Sequence, residues 1–209
     1  MKEEKVESSK IEGAGTRSER KKGLSVKERF TAKRLALMGV FVALSYAVSF
    51  LEIPLPLFGA GFLKLDFGNV FIALIAFLLG PIEGVIVCFL KESLRMLSGG
   101  TVVGELANMI MTCSFILFPA IVYRYKKGFK TVVFSLCIAC LIGTGVSLLA
   151  NRFIIFPLYE AVLEMSAQEA FSIFWIAVLI FNLIKTVAIS ILTLLLYKRL
   201  SNFLKELKI

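Results

Sequence analysis

The stretch WIAVLIFNLIKTVAISILTLLL, residues 175–196, is almost continuously apolar and long enough to cross a bilayer as a helix. A hydrocarbon core about 30 Å thick is spanned by roughly 20 such residues. Comparable runs recur along the chain. In lipid each backbone N–H and C=O needs an internal partner, so runs of this kind fold as helices. With 58% hydrophobic residues and 19 Phe, the composition lies far from that of a soluble domain. The expectation is an all-α fold, an integral membrane bundle of six transmembrane helices in a single domain.

The net charge of +9 would suit nucleic acid, but the placement of the charges argues for no nucleic-acid partner. Eleven of the 24 Lys and Arg fall between positions 2 and 34, before the first apolar run. Four more fall in 124–130 and four in 198–208. Basic residues gathered beside membrane segments mark the cytoplasmic side. Both termini and the 124–130 connection are therefore expected to be cytoplasmic.

Residues 1–29 read as a polar, disordered cytoplasmic tail, 30–201 as the membrane domain and 202–209 as a short basic cytoplasmic C-terminus. The helices are expected at about 31–51, 65–79, 81–97, 105–125, 131–153 and 171–200. Gly80-Pro81 makes a tight turn between the second and third, with Pro at the first helical position. A longer connection, 154–168, should join the last two and place Glu160 and Glu164 outside. Ala47-Val-Ser49 imitates a signal-peptidase site, but its apolar run is too long for a cleaved leader.

Several chemistries drop out. The chain has no histidine, which removes the usual general base and metal ligand, and no metal site is expected. Cys137 and Cys140 form a CxxC inside an apolar helix, where packing is the better reading, and Cys88 and Cys113 look equally structural. No GxxxxGK[ST] occurs, so any energy for transport comes from an ion gradient or another subunit. No enzymatic activity and no cofactor are expected.

The polar residues that remain are not scattered. Glu52, Lys64, Asp66, Lys91, Glu92 and Arg95 fall near the outer ends of their helices, as do Glu105, Asn108, Asn151 and Arg152. That convergence on one half of the bilayer describes a pocket open outward. Asn182 and Lys185, three apart, share a face deeper in the last helix, with Trp175 two turns back. A lysine at such depth costs roughly 2.5–3.5 kcal/mol on insertion scales. No carboxylate on its own helix can pair with it.

Other roles compete. Lys64, Lys91, Arg95 and Arg152 can snorkel to headgroups. Glu83 and Glu105 can complement helix N-termini, and the asparagines can bond between helices. Trp175 reads better as an interface-belt residue than as a ligand platform. Gly39, Ala43 and Ala47 form a small-residue stripe that suits either packing within the bundle or docking of a separate subunit.

FLKLDFGNVFIALIAFLLGPIEGVIV (62–87), GELAN (104–108), NRFIIFP (151–157) and FNLIK (181–185) together resemble the riboflavin-binding S component of energy-coupling factor (ECF) transporters. The resemblance covers nearly all of 31–200. It implies a multi-pass protein of the bacterial cytoplasmic membrane that binds riboflavin near the outer face. It also implies partners, a transmembrane coupling protein and two ATPase subunits. By that likeness Asn151, Asn182 and Lys185 meet the flavin ring's polar edge, and the loop bearing Lys64 and Asp66 lies near the ligand as a lid. Glu105 and Asn108 complete the expected substrate-binding set, and the stripe at Gly39, Ala43 and Ala47 docks the coupling protein. The rival readings are an S component or stand-alone permease for another vitamin or heterocycle, and a lipid-modifying membrane enzyme. The last would want clustered carboxylates of the DxxD type, which the sequence lacks.

Overall fold

A computed structural model describes residues 30–126 and 128–206. The expected tail at 1–29, Lys127 and the last three residues lie outside that range. Residues from Ala36 onward form one compact unit, and the account below concerns it.

The unit is helical. Helix α1 (Ala32–Ser49) leads to a two-stranded antiparallel hairpin, β1 (Ile53–Pro54) and β2 (Lys64–Leu65), which pairs Ile53 with Leu65 and Pro54 with Lys64. Then come α2 (Asn69–Leu78), α3 (Pro81–Leu97), α4 (Val102–Tyr125) and α5 (Phe129–Ala150). A π-helical turn (Asn151–Ile155) carries α5 directly into α6 (Phe156–Leu163), and α7 (Ala167–Glu206) closes the chain. Among the described residues, four helical stretches are long and apolar enough to cross a membrane: Ala32–Ser49, Val102–Tyr125, Phe129–Glu160 and Ala167–Tyr197.

Several boundaries depart from the sequence expectation, among them the end of α7, which runs on to Glu206 rather than stopping near 200. The fifth helix does not stop at 153, because Pro157 stands in the first turn of α6, where its missing N–H costs little. The expected long connection thus shrinks to 164–166. Helix α7 begins early on a capping box: Glu169 Oε2 accepts from the Ser166 N–H at 3.1 Å, and Ser166 Oγ accepts from the Glu169 N–H at 3.3 Å. Helix α2 begins late because Asp66 Oδ1 takes the Gly68 N–H at 2.7 Å and holds the chain in a turn.

The short α2 sits at the centre, with eight of its ten residues buried against α3, α4 and α7. Ile72, Leu74 and Ile75 pack with Phe115, Ile116, Leu136 and Ile189. At one end of this core Phe77, Tyr123 and Tyr197 meet edge-on, and the two tyrosine hydroxyls bond to each other. The other end is capped by the hairpin loop, where Phe62 lies edge-on to Phe156 and Phe174.

Helices α2 and α3 approach closely at Gly84, where a Cβ would stand 2.5 Å from that of Ala76 and 3.2 Å from Ile116 Cδ1. Gly145, in α5, has open space at the same position. Gly84→Ala should therefore lower stability by about 1–3 kcal/mol through overpacking. Gly145→Ala should raise it by roughly 0.5–1 kcal/mol through helix propensity. Thermal melts in detergent should rank Gly145→Ala above the wild type and Gly84→Ala below it.

Candidate functional site

Between the hairpin and α3–α7 lies a cavity of about 320 Å³, within the size range of small-molecule pockets. Lys64, Asp66, Glu105, Asn108, Asn151, Asn182 and Lys185, singled out from the sequence, all line it. Arg152 does not. Its guanidinium lies outside the cavity, 4.9 Å from the centre of the Phe171 ring. Trp175 is also absent from the lining and is 41% exposed, in keeping with a belt residue.

The floor is made of amides and one ammonium. Asn151 Nδ2 donates to the Ser147 carbonyl at 2.8 Å, and Asn182 Nδ2 donates to the Val178 carbonyl at 2.8 Å. Each carboxamide is thereby fixed against its own helix, one turn back. Lys185 Nζ donates to Asn108 Oδ1 at 2.6 Å and lies 5.6 Å from the centre of the Phe181 ring. It is only 4% exposed, so it does not snorkel.

Within this floor Asn108 is the junction to the buried charges below. Its Nδ2 donates to Glu92 Oε1 at 2.7 Å and to Asp66 Oδ2 at 3.1 Å. Its Oδ1 also accepts from Asn69 Nδ2 at 2.7 Å. Lys91 is fully buried, bonded to Asp66 and, at 2.9 Å, to Glu92. Snorkelling is thus excluded for Lys91 as well. Asp66 is held by the Lys91 ammonium and the Gly68 N–H as well as by Asn108. Asn69 was missed in the sequence, although it stands one helical turn from Asp66.

The lip of the cavity is charged. Glu52 accepts from Lys64 Nζ at 2.6 Å and from Arg95 Nη2 at 3.0 Å. Arg95 Nε lies 3.4 Å from Glu105 Oε1, and its guanidinium stacks 4.9 Å over Phe50. Arg95 thus ties the end of α1 to α3 and the start of α4 rather than reaching for headgroups. The walls are apolar, with Phe62, Leu63, Met111, Ile155, Tyr159 and Phe181. Among the described residues no cluster of His, Cys, Asp and Glu suited to a metal occurs.

A bundle of long apolar helices around a solute-sized cavity, apolar in its walls and amide-lined at its floor, has the architecture of a membrane protein that binds a small molecule. The chain belongs to the substrate-specific components of ECF transporters, whose family model matches residues 33–197. It is 35% identical over 178 residues to the riboflavin transporter RibU of Staphylococcus aureus (strain TCH60), a match covering 84% of this chain and 94% of that protein. It is 25% identical over 181 residues to the riboflavin transporter FmnP of Bacillus subtilis (strain 168), covering 83% and 95%. A solved S component of a bacterial ECF transporter shares the fold with a TM-score of 0.72 and 36% identity, over 83% of this chain and 98% of that one.

The buried charges make a stability prediction. Lys91→Met strands Asp66 and Glu92 and should cost about 3–5 kcal/mol, the usual penalty for removing one partner of a buried pair. Adding Asp66→Asn and Glu92→Gln to Lys91→Met should recover most of the loss. Melting of the single and triple variants in detergent checks both halves.

Proposed function

We propose that this chain is the riboflavin-binding S component of an ECF transporter in a bacterial cytoplasmic membrane. In this reading the chain crosses the bilayer six times, the second crossing made by α2 together with the non-helical turn before it, and both termini are cytoplasmic. A transmembrane coupling protein and two ATPase subunits, which hydrolyse ATP, drive uptake. The observation that carries the reading is the floor of the cavity. Two anchored carboxamides, Asn151 and Asn182, present donors and acceptors beside the Lys185 ammonium, which only donates. A flavin brings carbonyls and ring nitrogens to one edge of a large apolar face, and the apolar walls suit that face. The names of the two riboflavin-transporting relatives support the same ligand.

The stripe on α1 supports docking to a partner. Gly39, Ala43 and Ala47 are exposed, whereas Met38, Phe41, Ser45 and Ser49 face the bundle. The stripe is therefore not consumed by packing among the described residues.

Two experiments test the reading. Lys185→Met removes a charge-assisted hydrogen bond worth about 1.5–3 kcal/mol, so riboflavin affinity should fall roughly 10- to 150-fold. Asn108 Oδ1 keeps its Asn69 donor in this variant, so ligand-free melting should fall less than in Lys91→Met. Near-normal affinity with an equal loss of melting temperature would make Lys185 scaffold and remove its ligand role. Separately, Ala43→Leu should leave riboflavin binding intact while abolishing co-purification with the coupling protein and ATPases. Unimpaired assembly and uptake would refute the docking role.

A further inference from the structure

Floor and lip differ in chemistry as well as in depth. Asn108, Asn151, Asn182 and Lys185 are between 4% and 8% exposed, whereas the Lys64 side chain at the lip is 51% exposed. On the riboflavin reading above, on which this inference rests, the ring's polar edge meets the floor. The hydroxyl-bearing chain then extends toward the lip, and a phosphate ester at the end of that chain would arrive beside Glu52, Lys64, Arg95 and Glu105.

The lip holds three features that normally attract anions, and each is already engaged by a carboxylate. Lys64 is held by Glu52 at 2.6 Å. Arg95 is held by Glu52 at 3.0 Å and faces Glu105 at 3.4 Å. The third is the N-terminus of α4, whose first N–H groups lack helical partners and favour negative charge. Thr101 and Gly104 bring that end to the cavity. Glu105 sits in the same first turn, with its carboxylate against Gly100 where a side chain would not fit.

We propose that Glu105, assisted by Glu52, is the residue that selects the neutral vitamin over its phosphate ester. A phosphate monoester carries about −1.5 to −2 charges at neutral pH, and here it would lie beside two carboxylates that already hold the available cations. Hydroxyl groups do the opposite: they donate to those carboxylates and leave the three ion pairs in place. The same lip that repels the ester therefore accepts the polyol.

Titration of the purified full-length protein with riboflavin and with flavin mononucleotide tests this. The wild type should prefer riboflavin by at least about tenfold, and Glu105→Gln should reduce that preference about tenfold, chiefly by tightening the mononucleotide. Glu52→Gln should act in the same direction but less, because Glu52 is the more exposed, and it serves if Glu105→Gln fails to fold. An unchanged ratio in the folded variants, or a wild type that prefers the mononucleotide, would overturn the inference while leaving the riboflavin reading intact. A wild type that binds neither flavin would overturn both.

Discussion

Lys91 has no access to solvent, and an ammonium in that position is tolerable only with anions bonded to it. Asp66 and Glu92 answer that demand, and Asn108 answers theirs, so a single buried cation organises residues from the hairpin turn, α3 and α4. Lys185 joins the same set from α7 through Asn108. The carboxamide suits this junction because its nitrogen donates to the carboxylates while its oxygen takes the ammonium. The ligand-facing floor and the structural core are consequently one network. A change at the floor reaches the helix contacts below it by way of one side chain.

That arrangement sets two lysines of similar depth in different surroundings. Lys91 lies outside the cavity lining and its charge is consumed by carboxylates of the fold. Lys185 lines the cavity, and the neutral amide that accepts from it has a second donor in Asn69. The first is held by the protein's own balance of charge, while the second retains donor capacity toward a solute.

Much of this was legible in the sequence because a membrane helix cannot hide polar residues cheaply. Asn182 and Lys185 stood out against an apolar run, and the residues expected to surround a ligand do line one cavity. What was not legible depended on partners distant in the chain. Lys91 and Arg95 read equally well as headgroup anchors until Asp66, Glu52 and Glu105 were seen beside them. The helix boundaries were obscured for local reasons. Ser166-Ala167-Gln168-Glu169 is a capping box whose pattern was present but not used, and 154–168 read as a connection although Pro157 stands in the first turn of a helix. The two-residue strands at 53–54 and 64–65 are too brief to leave any alternation to detect.

The brevity of α2 has a consequence of its own. Ten residues make a rod about 15 Å long, roughly half the thickness of a hydrocarbon core. Where the missing turns would run, the chain instead makes the hairpin loop and the Asp66 turn, and non-helical backbone at such depth is tolerated only inside protein or along a cavity. The residues that precede α2 build the cavity instead: Phe62, Leu63, Lys64 and Asp66 all line it, so the part of the chain that is not helix is the part that meets the solute space.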